Sequence, residues 1–140
     1  MTPTNPVTRE TPTIALPAAP THLAATEDAV WVLTPANNSL VRVDPATGRV
    51  AARVLLPRTS RQRPHQVAVG EGAVWVTSAG ARAGTVNLLW RVNPASNQVT
   101  GTLDLGPTSA GGMPNSVAVG DGAVWVGGAT KGSLVLLEPG

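Results

Sequence analysis

The chain has 140 residues, 42% of them hydrophobic, and a net charge of +2, enough apolar mass for one packed domain and too little charge for a nucleic-acid footprint. It contains no cysteine, which excludes disulfides, thiolate zinc sites and a cysteine nucleophile. No run approaches the roughly 18 apolar residues of a membrane span, and the N-terminus lacks the charged and apolar regions of a signal peptide.

Residues 1–10 read as a tail. The segment "TPTIALP", 11–17, predicts a first strand; it resembles "AARVLLP" at 51–57, and Pro12 suits a strand at an outer edge, where one ladder donor is dispensable. From Pro20 the chain repeats itself. "PTHLAATEDAVWV", "PHQVAVGEGAVWV" from Pro64 and "PNSVAVGDGAVWV" from Pro114 align on Trp31, Trp75 and Trp125, with periods of 44 and 50 residues, close to the length of a four-stranded propeller blade.

Each period resolves into short strands. The first is Leu23 to Ala25, with counterparts at Val67 to Val69 and Val117 to Val119. A tight turn follows, in which Gly72 and Gly122 supply positive φ and Asp28 is the matching residue in the first copy. The second strand is the Ala-Val-Trp-Val run, and the third is "SLVRV" from Ser39, "LLWRV" from Leu88 and "SLVLL" from Ser133. "DPATG" at Asp44 and "NPASN" at Asn93 then form a fixed turn, with Gly48 or Asn97 in the left-handed position, leading to fourth strands at 49–56 and 98–105. Recurrent Gly and β-branched residues exclude a helical reading. The constant place of the tryptophans argues for packing between blades rather than ligand stacking, whereas Trp90 is compatible with either core or solvent.

The expected fold is therefore all-β: three propeller blades of four antiparallel strands, with repeat units at 20–56, 64–105 and 114–140, the last lacking its own fourth strand. Propellers typically close with four to eight blades, so three cannot form a ring. Two chains making a six-bladed homodimer, with 11–17 completing the partner's last blade, is the economical solution. The alternative is a fragment of a longer propeller, natural or cut by an engineer.

Successive turns fall on alternate faces. The variable connections share one face, which carries Arg58, Arg61, Arg63, Arg82 and Lys131, while Glu27, Asp28, Asp44, Glu71 and Asp121 lie on the other. A ring of arginine attracts carboxylates or phosphates. His22, His65, Gln66, Asn115 and Ser116 stand just ahead of the first strand of each blade, expected at the mouth of a central channel. Together with Arg58, Arg61, Arg63 and Arg82 they form the candidate ligand-binding set, for an anionic small molecule or glycan, with no cofactor or metal site and no nucleic-acid or membrane partner. The glycines of "GEG" and "GDG" lack the third Gly and the helix of a dinucleotide fingerprint.

Over almost everything after Thr11, the repeated "P-x-x-V-A-V-G-x-G-A-V-W-V" and "R-V-[DN]-P-A" patterns resemble bacterial β-propellers of the streptogramin-lyase-like and YncE/YVTN-like type. That resemblance implies a propeller serving as a lyase, a binding module or a sensor domain. "PHQV" is similar to the "P-H-G-[IV]" of the lyase-like members, in which the His helps bind and process a cyclic ester. His65 is the matching position, His22 is shifted by one, and Gln66 replaces the Gly. The expected role is a non-catalytic binding and assembly module, with a lyase-like enzyme centred on His65 as the alternative.

Overall fold

The computed structural model describes residues 13–57, 62–80, 86–107, 116–128 and 134–138. Within them lie eleven strands: β1 (His22–Ala25), β2 (Val30–Thr34), β3 (Ser39–Asp44), β4 (Arg49–Leu55), β5 (Gln62–Gly70), β6 (Ala73–Gly80), β7 (Val86–Asn93), β8 (Gln98–Pro107), β9 (Ser116–Gly120), β10 (Ala123–Gly127) and β11 (Leu134–Leu137). They form two four-stranded sheets, β1-β2-β3-β4 and β5-β6-β7-β8, and one three-stranded sheet, β9-β10-β11, with every pair antiparallel. β1 lies against β5 and β5 against β9, so the first strand of each sheet forms the inner edge of an arc of three blades.

The turns explain the meander. Between β5 and β6, Glu71 (φ 52°) and Gly72 (φ 75°) both adopt the left-handed conformation, as do Asp121 and Gly122 between β9 and β10. Two consecutive positive φ values give the hairpin turn whose twist matches its strands. The first copy uses different chemistry. Asp28 does not take positive φ; instead the Thr26 hydroxyl accepts the amides of Asp28 (3.3 Å) and Ala29 (3.2 Å), closing the turn without a left-handed residue. In the third-to-fourth-strand turns, Asp44 and Asn93 each accept the amide two residues on at 2.8 Å, and Gly48 and Asn97 hold the left-handed position.

Two apolar seams join the blades. In the first, Trp31, Leu33, Leu40, Val54 and Leu56 meet Val74, Val76, Trp90 and Val92; in the second, Trp75, Leu89 and Leu105 meet Val124 and Val126. Each seam therefore seats a tryptophan and a third-strand leucine on the valine rows of the next blade. Trp90 belongs to the core, fully buried where the first blade has Val41. Burying the ring is favourable, but its indole N–H is buried with no acceptor among the described residues, which offsets part of that gain.

A third cluster covers the free flank of the first blade, where Leu16 packs on Val32, Val41 and Val43. These are the counterparts of Val76, Trp90 and Val92, on which Leu56 packs in the first seam. The described part of the expected first strand, 13–17, has no ladder partner among the described residues and takes no strand conformation. Thr11 and Pro12 lie outside the described residues.

Candidate functional site

The two histidines sit on adjacent inner strands, His22 at the start of β1 and His65 within β5, with ring centroids 5.8 Å apart and planes inclined by 47°. β5 is longer than its sequence pattern indicates, because pairing with β6 continues back to Gln62. Pro64 is tolerated there since β5 is an edge strand of its sheet. The ladder slips between Pro64, opposite Ser78, and Gln66, opposite Thr77, so His65 is the extra residue of a β-bulge. Such a bulge re-aims a side chain out of the regular pleat. The amide of Gln66 is held by the buried Thr77 hydroxyl at 3.1 Å, which anchors the distortion.

Beside this bulge, Pro35, Ala36, Arg63, Pro64 and His65 line a cavity of about 380 Å³. Pro35 and Ala36 come from the short 3-10 turn Pro35–Asn37 that follows β2, on the same end of the arc as the histidines. Arg63 is solvent-exposed, and His22 and His65 are half-buried. Burial lowers the His65 pKa below the usual imidazole value of 6.5, and the neighbouring His22 lowers it further. His65 is accordingly neutral at pH 7, with a ring nitrogen free to accept a proton or hydrogen bond. The Nδ1 atom of His22 is buried with no hydrogen-bond partner among the described residues.

The structure thus brings His22, Arg63, His65 and Gln66 to one end of the inner edge. Ser116 begins β9, also an inner strand, and is exposed. Arg58, Arg61, Arg82, Asn115 and Lys131 lie outside the described residues. No group of three or more His, Asp or Glu poised for a metal occurs among the described residues, nor does any helix long and apolar enough to cross a membrane.

Sequence reasoning missed one repeated feature. Arg42 places its guanidinium 5.4 Å from the Trp31 ring, and Arg91 stands 5.5 Å from Trp75. Arg42 also donates to the carbonyl of Pro94 in the next blade at 2.8 Å, bolting the seam at its turn face. The signal was present: Arg42 pairs with Trp31 and Arg91 with Trp75 across the β2–β3 and β6–β7 ladders, and in the third blade Trp125 pairs with Leu136.

Meander sheets fanned about an inner edge define a β-propeller. Among solved structures, the chain is similar to a streptogramin B lyase, with 25% identity, a TM-score of 0.64, and 83% of this chain matched to 37% of that one. It is also similar to the hydrazine synthase of Kuenenia stuttgartiensis (15% identity, TM-score 0.67, 91% of this chain and 35% of that one). A europium-containing methanol dehydrogenase matches 59% of this chain and 14% of its own at 13% identity and a TM-score of 0.51. The streptogramin B lyase and the hydrazine synthase are propeller folds. The chain spans little more than a third of the length of these structures, or less. No protein-family model matches the chain, and no curated protein matches it.

Proposed function

We propose that the chain is a non-catalytic propeller module that self-associates into a six-bladed ring and binds an anionic or polar ligand, such as a carboxylate-bearing small molecule or glycan, at its inner rim. The observation that carries the binding reading is the grouping of Arg63, His65 and His22 beside the 380 Å³ cavity, with His65 displaced towards it by a bulge. An exposed guanidinium grips an oxyanion bidentately, and a neutral imidazole supplies either a donor or an acceptor. Self-association is supported by the two ends of the arc: Ile14, Leu23, Val50 and Leu55 are exposed at one, and Trp125, Leu134 and Leu136 at the other.

Calorimetric titration with inorganic phosphate and with a uronic-acid oligosaccharide at moderate salt tests the binding reading. Replacing Arg63 with Ala weakens binding about tenfold, consistent with the loss of a charge-assisted hydrogen bond; absence of binding to both probes overturns it. Light scattering tests the assembly, expected near twice 14.2 kDa.

The likeness to the streptogramin B lyase structure and the neutral state of His65 favour a second reading, a lyase-like enzyme in which His65 acts as the general base. The two readings part on His65→Ala. Under the first, turnover of candidate lactones does not change; under the second it falls by the 10²–10⁴-fold typical of a lost general base.

A further inference from the structure

Resting on the self-association reading, the geometry points to a ring closed by strand exchange in a defined register: residues 13–16 of one copy run beside β11 of a second copy, with Thr13 opposite Val135 and Ile14 opposite Leu134. The register comes from the other two blades. Arg53 pairs with Val41 and Val54 with Leu40 in the first; Thr102 pairs with Trp90 and Leu103 with Leu89 in the second. Aligning "TPTIALP" with "AARVLLP" puts Thr13 at the place of Arg53 and Ile14 at that of Val54. β10 pairs Val126 with Val135 as β2 pairs Val32 with Val41, which puts Leu134 at the place of Leu40.

Three independent observations converge on this occupant. Leu16 already rests on Val32, Val41 and Val43 of its own first blade, as Leu56 rests on their counterparts, so the segment stands where the fourth strand of a preceding blade belongs. On the third blade, β11 is an edge strand among the described residues, and beside it Trp75, Leu89, Arg91, Leu103, Leu137 and Glu138 line an open cavity of about 260 Å³. In the preceding seam the fourth strands β4 and β8 touch, whereas here β8 meets that cavity. The two side chains assigned to face each other are both left uncovered, Ile14 at 40% and Leu134 at 64% exposure, although Leu40 and Leu89, the counterparts of Leu134, are buried. A two-fold ring uses the contact twice and leaves neither sheet edge open.

The chain has no native cysteine, so a cross-link reports the register directly. The double variant Ile14→Cys/Leu134→Cys, oxidised at a concentration where the wild type is assembled, yields covalent dimers joined between positions 14 and 134 of different chains. Ile14→Cys/Leu136→Cys, two residues out of register, yields several-fold less. Monomeric products, a link within one chain, or equal yields from both variants overturn the proposal. In the unmodified protein, amide exchange at Leu134–Leu137 slows at least tenfold as concentration is raised through the assembly transition; unchanged exchange overturns it too. If the mass stays near twice 14.2 kDa without that cross-link, the register fails and self-association stands, while a monomeric mass removes both.

Discussion

At His65 the local backbone and the local electrostatics act together. The bulge takes the side chain out of the pleat, and burial beside His22 holds the imidazole below its ordinary pKa. Because the folded state binds its proton less readily than the unfolded chain, the contribution of His65 is fully present above pH 6.5 and is lost as pH falls through the lower folded value. The midpoint of thermal unfolding therefore drops between pH 7.5 and 5, and His65→Gln flattens that part of the profile; an unchanged slope in the variant contradicts the assignment. A second residue-scale prediction uses equivalent glycines. A Cβ on Gly70 would stand 2.6 Å from the Val119 side chain, whereas one on Gly120 meets nothing within 4 Å. Gly70→Ala should cost about 1–3 kcal/mol in urea unfolding, the usual cost of overpacking, and Gly120→Ala close to nothing. The histidines were legible as candidates from their place ahead of the first strands. The bulge was not, because it depends on where β5 and β6 slip against each other, a long-range property that no single position displays.

Among the elements, the turns were the most legible part of the fold. Asp44, Gly48, Asn93 and Asn97 behave as their types dictate because an Asx side chain and a left-handed residue satisfy the turn locally. Thr26 shows the limit: "ATEDA" and "GEGA" close the same hairpin by different means, and Asp28 drew attention away from the hydroxyl that does the closing. The third strand carries a feature that the sequence reading did not assign, since Arg42 and Arg91 lie over tryptophans at the seams. Arg42→Ala should destabilise the chain by about 2 kcal/mol, combining a cation–π contact and a charge-assisted hydrogen bond. Exposed Arg49→Ala serves as the control and should stay within about 0.5 kcal/mol. Equal effects in denaturant melts would show that the Trp31 and Pro94 contacts contribute nothing.

For the molecule as a whole, three aligned tryptophans were enough to reveal propeller blades, because a repeat that buries one face on its neighbour must present the same residues each time. Of the arginines assigned to the basic loop face, Arg63 falls within the described residues, at the inner edge beside His65. The free ends of the arc make the sharpest whole-molecule prediction. Leu134 is exposed in the single chain, so Leu134→Glu should leave monomer stability within about 0.5 kcal/mol while halving the molar mass in solution. A dimer that survives this change would place the interface elsewhere.

The third blade differs from its siblings at one point, where Leu136 takes the place of the arginine that lies over the other two indoles, and Trp125 remains 39% open to solvent. That asymmetry gives the protein its own optical gauge. Trp31, Trp75 and Trp90 are already buried within the single chain, whereas the fourth indole should glow redder in dilute solution and shift blue once another surface shields it from water.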